Sequence, residues 1–148
     1  MRRPRAAKLV IAVSLLFGVA WYLYDPPWVG SLTSGLRDWE EDAPGTRFRW
    51  TAGHASFFIP SDAIEMTLPM RAPVPSPDRS VTVRVSVDGR VLTDIVMNDP
   101  RVWVAPVLPL PRRATRRRYR RVDLQVSWTQ EYFNLGVQLG EVRLVRGR

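Results

Sequence analysis

Few residues of this 148-residue chain have side chains suited to catalysis or metal binding. His54 is the one histidine and cysteine is absent, which excludes disulfides, thiolate metal sites and cysteine nucleophiles. Asp62 and Glu65 follow His54, but a histidine without a second imidazole or a thiolate is typical of a structural residue. No phosphate-binding glycine loop, zinc-protease motif or nucleophile elbow occurs. We therefore predict no enzymatic activity, no cofactor and no metal site; a hydrolase whose two carboxylates meet only in the fold stays an alternative.

A second group of potential ligands is the acidic segment Asp38-x-Glu40-Glu41-Asp42. Its oxygens suit Ca²⁺, which takes about 6–8 oxygen ligands. The segment lacks the glycine of a calcium-binding loop, so we interpret it as a solvated acidic connector.

Aromatic residues offer a different chemistry, because exposed tryptophan and tyrosine rings stack on sugar rings. The chain has six tryptophans. Trp50 and Trp128 are in phase with apolar neighbours and are predicted to be core residues. Trp103 and Tyr132 are the predicted ligand-binding residues.

Seven arginines lie within ten positions and dominate the charge of the exported part, which otherwise holds 11 arginines against 14 acidic residues. We call them the arginine run: Arg112, Arg113, Arg116, Arg117, Arg118, Arg120 and Arg121. The run is predicted to contact an anionic surface, either a membrane or glycolipid or an acidic protein partner. A solvated hairpin loop is the alternative. Nucleic acid is not expected as a partner, because the run is predicted to lie outside the cytoplasm.

The N-terminal segment predicts where the chain is located. Residues 1–8 carry four basic groups and no acid, residues 9–24 carry no charge, and aromatic residues follow. Cytoplasmic flanks are rich in Lys and Arg, and Trp and Tyr favour the membrane interface. We predict a basic cytoplasmic flank (1–8), a single-pass transmembrane anchor (9–24), a linker (25–45) and an extracytoplasmic domain (46–148). A signal peptide cleaved after Gly18-Val19-Ala20 is the alternative.

The exported part reads as an all-β domain. Valines alternate with polar residues at 81–87, and Asp88-Gly89 then forms a typical two-residue hairpin turn. A strand at 47–51, a turn at Ala52-Gly53, a strand at 54–59 and a proline-containing edge strand at 102–110 are also expected. A change of phase at Gly140 predicts a β-bulge. About eight short strands without an amphipathic helix predict a β-sandwich of jelly-roll type behind one transmembrane helix.

Three segments together carry a family resemblance: Phe48-Arg49-Trp50-Thr51-x-Gly53-x-Ala55-x-Phe57, Val85-x-Val87-Asp88-Gly89, and the stretch from Leu135 to Leu144. This order resembles small bacterial extracytoplasmic β-sandwich domains, similar to carbohydrate-binding modules, that occur in or beside polytopic membrane glycosyltransferases of the mannosyltransferase type. The resemblance covers roughly residues 46–144 and implies a non-catalytic accessory module. The arginine run departs from that pattern.

The leading hypothesis is thus a membrane-anchored, non-catalytic binding or accessory module for cell-envelope glycans or for a membrane glycosyltransferase. Its partners would be the membrane, a glycan or lipid-linked saccharide, and such an enzyme. The alternative is a structural subunit that docks on a membrane-protein partner through the arginine run and binds no sugar.

Overall fold

The computed structural model describes residues 4–43, 45–73, 80–112, 116–130 and 132–147. The chain begins with one helix, α1 (Pro4–Tyr24), of 21 residues. At 1.5 Å per residue it is about 32 Å long, close to the hydrocarbon thickness of about 30 Å. Only 6% of its most apolar stretch is buried, and the helix is long and apolar enough to cross a membrane. Asp25-Pro26-Pro27 ends it, because proline cannot continue an α-helix.

A short 3₁₀ helix (Pro27–Ser31) and eleven strands follow in the described part of the chain. The strands are β1 (Thr33–Leu36), β2 (Glu40–Glu41), β3 (Arg47–Pro60), β4 (Ala63–Thr67), β5 (Met70–Arg71), β6 (Val81–Val87), β7 (Arg90–Met97), β8 (Val107–Pro109), β9 (Tyr119–Val126), β10 (Gln138–Gly140) and β11 (Arg143–Arg146).

The strands form two antiparallel sheets that enclose one core. The larger has the order β5-β10-β3-β9-β6-β7, with β1 and β2 paired to β3, and the smaller has the order β11-β4-β8. Alternate residues of β6 and β9 are buried, as the period-2 pattern predicts. The expected hairpin joins β6 to β7, with positive φ at Asp88 (52°) and Gly89 (76°). The chain is therefore an all-β sandwich of jelly-roll type behind an apolar helix, which confirms the predicted fold class.

β3 runs through Ala52-Gly53, where the sequence predicts a turn, so that prediction is wrong. The strand continues because its partners change there. Phe48 to Trp50 pair with β10, Thr51 exchanges hydrogen bonds with Gly136 and Val137, and β9 takes over from His54. A 14-residue strand thereby carries Arg47 and Arg49 on the same sheet as the core residues of its second half.

Residues 33–41, which lie inside the predicted linker, contribute two strands to the larger sheet. Thr33 of β1 pairs with Phe57, and Glu40 of β2 pairs with Phe48. Gly35 has φ of 63°, a left-handed conformation that glycine adopts at little cost, at the irregularity between β1 and β3. Trp39 is consequently held beside the sheet by the strand that follows it.

Gly140 marks a change of sheet and not the bulge predicted from sequence. β10 belongs to the larger sheet and β11 to the smaller one, so the chain crosses between layers at residues 141–142. The side-chain phase changes because β11 faces the core from the opposite layer. The residues near this crossing therefore lie along the edge that the two sheets share.

Candidate functional site

Trp103 lies half-buried at the edge of the sandwich, in the segment that leads to β8. The next residue, Val104, exchanges backbone hydrogen bonds with Met70, at N···O distances of 2.7 and 2.8 Å, which ties this segment to β5. The indole contacts the buried Phe48 at a centroid distance of 6.4 Å, and the Arg71 guanidinium lies over it at 4.9 Å. The ring is therefore fixed by an aromatic neighbour and a cation.

Arg71 is itself held firmly by two partners. Its Nε donates to Gln138 Oε1 at 2.8 Å, and its Nη2 donates to Asp42 Oδ2 at 3.2 Å. Gln138 is buried, and the side chains of Arg71 and Asp42 are each about one-fifth exposed. Asp42, one of the predicted acidic connector residues, thus helps to position Trp103.

A cleft of about 350 Å³ opens beside Trp103. This volume lies at the lower end of the range of about 300–1,000 Å³ that is usual for small-molecule sites. At its floor a side chain at Gly140 would meet Pro69, with Cβ atoms 3.1 Å apart, so the glycine keeps the cleft open. The lining residues are Gly45, Thr46, Arg47, Pro69, Trp103, Gly140, Glu141 and Arg143.

A second cleft, of about 390 Å³, shares Gly140 and Glu141 with the first. Trp39 and Arg49 line it, together with apolar residues of β3 and β11. We call the two clefts together the groove. It has a tryptophan in each half and charged side chains between them.

Arg47 and Arg49 lie close to the Trp39 ring, at 5.2 and 4.8 Å from its centroid. The indole attracts both cations through its electron-rich face. Arg47 also forms a 3.5 Å ion pair with Glu141, but both side chains are more than half exposed and the pair contributes little to stability. Arg47 can therefore exchange Glu141 for another anion at small cost.

Arg49 is less exposed than Arg47 and has fewer partners. Burial lowers the pKa of the Arg49 guanidinium from its ordinary value, because lost hydration penalises the charged form. Its Nε is buried, with no hydrogen-bond partner among the described residues. No ion pair in that part of the chain includes Arg49. Arg49 is therefore a partly desolvated cation that lines the second cleft, while its unsatisfied Nε is buried behind that surface.

Tyr132, the other predicted ligand-binding residue, lies apart from the groove. It is 91% exposed, next to Phe133, which is 59% exposed. Both belong to the loop closed by the bridge between Gln130 and Leu135, and neither lines the two clefts. Trp128 packs against the core as predicted, whereas Trp50 is half-buried at 6.2 Å from Phe48, outside the core cluster.

The arginine run lies where α1 leaves the expected membrane. The backbone N–H of Arg118 donates to both oxygens of Asp25, at 2.9 and 3.1 Å, immediately after the helix ends. The Arg117 guanidinium lies 5.0 Å from the centroid of the Tyr24 ring. Arg112 and Arg116 are exposed, and Arg113 lies outside the described residues.

Arg120 does not fit the predicted anion-contacting set, because its side chain is only 3% exposed. Its Nε donates to Asp88 at 2.8 Å, and its Nη1 donates to the carbonyl of Pro111 at 2.7 Å. Arg121 pairs with Asp123 at 2.9 Å. Three of the run's described arginines thus have aspartate partners: Arg118, Arg120 and Arg121.

His54 has a modest electrostatic role. Its Nε2 lies 3.3 Å from Asp123 Oδ1 at an exposed position between β3 and β9. Within the described ranges, no group of three His, Asp or Glu side chains is arranged to hold a metal ion. Glu40 and Glu41 are held in β2 and exposed, so the acidic connector does not converge on one point.

Comparisons with known proteins relate the fold to solved structures. No family model and no curated protein sequence matches the chain. The EclA C-terminal domain, a sugar-binding protein, superposes with a TM-score of 0.51 at 13% identity, over 72% of this chain and 81% of that one. A structure of the M60 catalytic domain with two CBM51 domains of Clostridium perfringens ZmpB gives 0.51 at 12% identity, over 79% of this chain and 14% of that one.

The fold is a carbohydrate-binding-module-like β-sandwich. This confirms the β-sandwich part of the resemblance drawn from sequence. At 13% identity or less the likeness concerns the fold, so the ligand must be argued from this chain's own residues.

The sequence predicts Trp103 as a ligand-binding residue, which stays a prediction, but it does not single out Trp39 and Arg49 of the second cleft or Glu141, which lines both clefts. Arg47 and Arg49 alternate along a strand, which reads as an ordinary solvated face. Trp39 lies in a segment that reads as a linker. The one available sign was a tryptophan within an acidic connector, where no core would bury it.

Proposed function

We propose that this protein is a membrane-anchored, non-catalytic module that binds cell-envelope glycans outside the cytoplasm. The observation that supports this most strongly is the groove, whose Trp103 wall is fixed by Phe48 and Arg71. Sugar rings present apolar C–H faces to aromatic rings and hydroxyl groups to charged side chains. The groove supplies both kinds of group on a fold shared with a sugar-binding protein.

The proposed location rests on the N-terminal charge bias. Residues 1–8 hold four basic residues, two before α1 and two in its first two turns, and the segment 25–45 that follows the helix carries one arginine and five acidic residues. Positive-inside bias then puts the N-terminus in the cytoplasm and the sandwich outside. In this position a polytopic glycosyltransferase of the mannosyltransferase type is the proposed enzyme partner, because the sequence resembles domains found in or beside such enzymes.

Glycan binding is tested with the full chain in lipid nanodiscs on an array of neutral, carboxylated and phosphorylated oligosaccharides. Trp103→Ala should weaken the best ligand at least about tenfold, because truncating a packed aromatic anchor typically costs 1.4 kcal/mol or more. Trp103→Phe keeps an apolar wall and should lose less. Tyr132→Ala is the matched control outside the groove.

Melting curves of the Trp103 variants separate lost binding from lost folding. A parent protein that binds nothing on the array contradicts the proposed function. Binding that is abolished by Tyr132→Ala and unaffected by Trp103→Ala would move the site to the Tyr132 loop, which the sequence also predicts.

The arginine run supports a second, compatible role in contacting the membrane. Arg117 and Arg118 lie beside the C-terminal end of α1, where the helix dipole favours cations and lipid headgroups are expected. Each arginine near an anionic bilayer contributes about 1 kcal/mol. Arg112 and Arg116 add exposed charge at the same end of the run. Docking on an acidic membrane-protein partner is the alternative.

Nanodiscs with and without anionic lipid separate these possibilities. We expect anionic lipid to slow backbone hydrogen exchange at 116–121, and Arg116→Gln/Arg117→Gln/Arg118→Gln to remove that protection. The control triple Arg90→Gln/Arg101→Gln/Arg146→Gln should retain it. Equal exchange in neutral and anionic discs would contradict the lipid contact and favour a protein partner.

A further inference from the structure

We infer that the groove selects glycans that carry an anionic group, a carboxylate or a phosphate, and that Arg49 is the residue that recognises it. This inference rests on the proposed glycan-binding function and specifies its ligand class. Arg49 lines the second cleft, next to the Glu141 and Gly140 positions that both clefts share.

The hydrogen-bonding capacity of Arg49 is not fully satisfied within the described structure. A guanidinium has five N–H donors in a fork that matches carboxylate and phosphate oxygens. The buried Nε of Arg49 has no hydrogen-bond partner in the described structure, and the guanidinium contacts the Trp39 ring without forming an ion pair there. Because the Nε itself is buried, an incoming oxyanion would contact Arg49 from the second cleft, which the residue lines, and would supply the anionic partner that it lacks.

Two cations, Arg47 and Arg49, lie beside the same Trp39 ring and repel each other. Arg47 and Arg49 both lie about 5 Å from the Trp39 centroid, so their charges are neighbours. Glu141 approaches Arg47 at 3.5 Å and leaves Arg49 without a carboxylate. Arg143 adds a further cation to the lining. Three arginines against one glutamate give this groove a net positive charge.

The positive charge of the groove contrasts with the charge of the exported part around it. Outside the arginine run the exported part holds 11 arginines and 14 acidic residues. Several of those arginines have close aspartate partners: Arg84 donates to Asp94 at 2.9 Å, and Arg71 reaches Asp42 at 3.2 Å. A positive groove whose surroundings, apart from the arginine run, are slightly acidic attracts an anionic ligand.

The test uses ligand pairs that differ only in charge, with the full chain in neutral nanodiscs. One pair is oligogalacturonate and its fully methyl-esterified form, and the other is a mannose disaccharide and its 6-phosphate. We expect the parent to bind the anionic member of at least one pair about tenfold more tightly. The preferred pair identifies carboxylate or phosphate as the recognised group. Raising NaCl from 0.1 to 1 M should reduce the preference, since the Debye length falls from about 10 to about 3 Å.

Arg49→Gln should weaken the anionic member much more than the neutral member, and so reduce the roughly tenfold preference to about twofold or less. Arg90→Gln, a change at an exposed hairpin arginine, should leave both affinities unchanged. Equal binding of charged and neutral members by the parent, or an unchanged preference in Arg49→Gln, overturns this inference and leaves glycan binding standing. Failure of the parent to bind any member overturns the proposed function and this inference together.

Discussion

Two arginine-containing regions of the molecule differ in how their charge is compensated. In the arginine run, side chains crowd together in sequence, yet Arg118, Arg120 and Arg121 are matched by Asp25, Asp88 and Asp123. In the groove, Arg47, Arg49 and Arg143 come from β3 and β11, and the one carboxylate among the lining residues, Glu141, pairs with Arg47.

The difference shows that charge density along a chain is a poor guide to charge available for binding. Asp25 and Asp88 are distant from the run in sequence and reach it through the end of α1 and the β6–β7 turn, whereas Asp123 lies two residues beyond Arg121 in β9. The groove's arginines are sparse in sequence and are gathered by the alternation of β3. Within the run, structural and surface roles are mixed residue by residue.

The largest expected effect breaks the structural part of the run. Arg120→Met leaves Asp88 partly buried without its cation, and removing one partner of a buried pair costs about 3–5 kcal/mol. Because Asp88 is 29% exposed and can rehydrate, we expect a loss at the lower end, about 3 kcal/mol, in the free energy of unfolding. Urea denaturation of the sandwich, followed by tryptophan fluorescence, measures it.

Arg112→Met is the matched control from the exposed part of the same run. It should change the free energy of unfolding by no more than about 0.5 kcal/mol, as for most surface substitutions. Equal effects of the two substitutions would show that buried and exposed arginines of the run contribute equally to stability, which would contradict the structural role of Arg120.

A smaller effect is expected at the ring that holds the groove's cations. Trp39→Ala deletes two cation–π contacts, each contributing about 0.5–1 kcal/mol at an exposed site, and should lower the free energy of unfolding by about 1–2 kcal/mol. Tyr132→Ala, at a 91% exposed position, should cost less than 0.5 kcal/mol. If Trp39→Ala leaves the free energy of unfolding unchanged, the two arginines do not depend on the ring.

The smallest effect concerns Arg84 and Asp94, an exposed pair that serves as a reference for the other two regions. The hydrogen bond from Arg84 lowers the pKa of Asp94 below its ordinary value. A depressed pKa means that the pair's stabilisation is present above the unfolded pKa, about 3.9, and is lost as pH falls through the folded pKa. Asp94→Asn should therefore slightly flatten the rise in urea midpoint between about pH 2.5 and 5. A steeper rise in the variant would contradict this sign.

The sequence predicted the fold better than the site, and the reason is the range of the interactions involved. Alternation at 81–87 and the Asp88-Gly89 turn are local, and both predictions hold. The β3 partner change and the crossing after Gly140 depend on strands far apart in the chain, so local patterns misread them as a turn and a bulge.

The same distinction applies to the candidate site. Trp103 could be selected because it is not in phase with predicted core residues, as Trp50 and Trp128 are. Arg49 could not, because the cleft that it lines is formed by residues far apart in the chain, from Gly30 to Leu144. Arg120 was misassigned for the same reason, since Asp88 reaches it only through the β6–β9 pairing.

The central claim is that glycans bind in the groove and not at the arginine run. Indole N–H resonances of the full chain in nanodiscs test it directly during a titration with oligogalacturonate. The account predicts that the Trp39 and Trp103 signals shift together with the amides of 140–143, while Trp128 and the amides of 116–121 stay in place. Shifts confined to 116–121, with Trp39 and Trp103 unmoved, would contradict it.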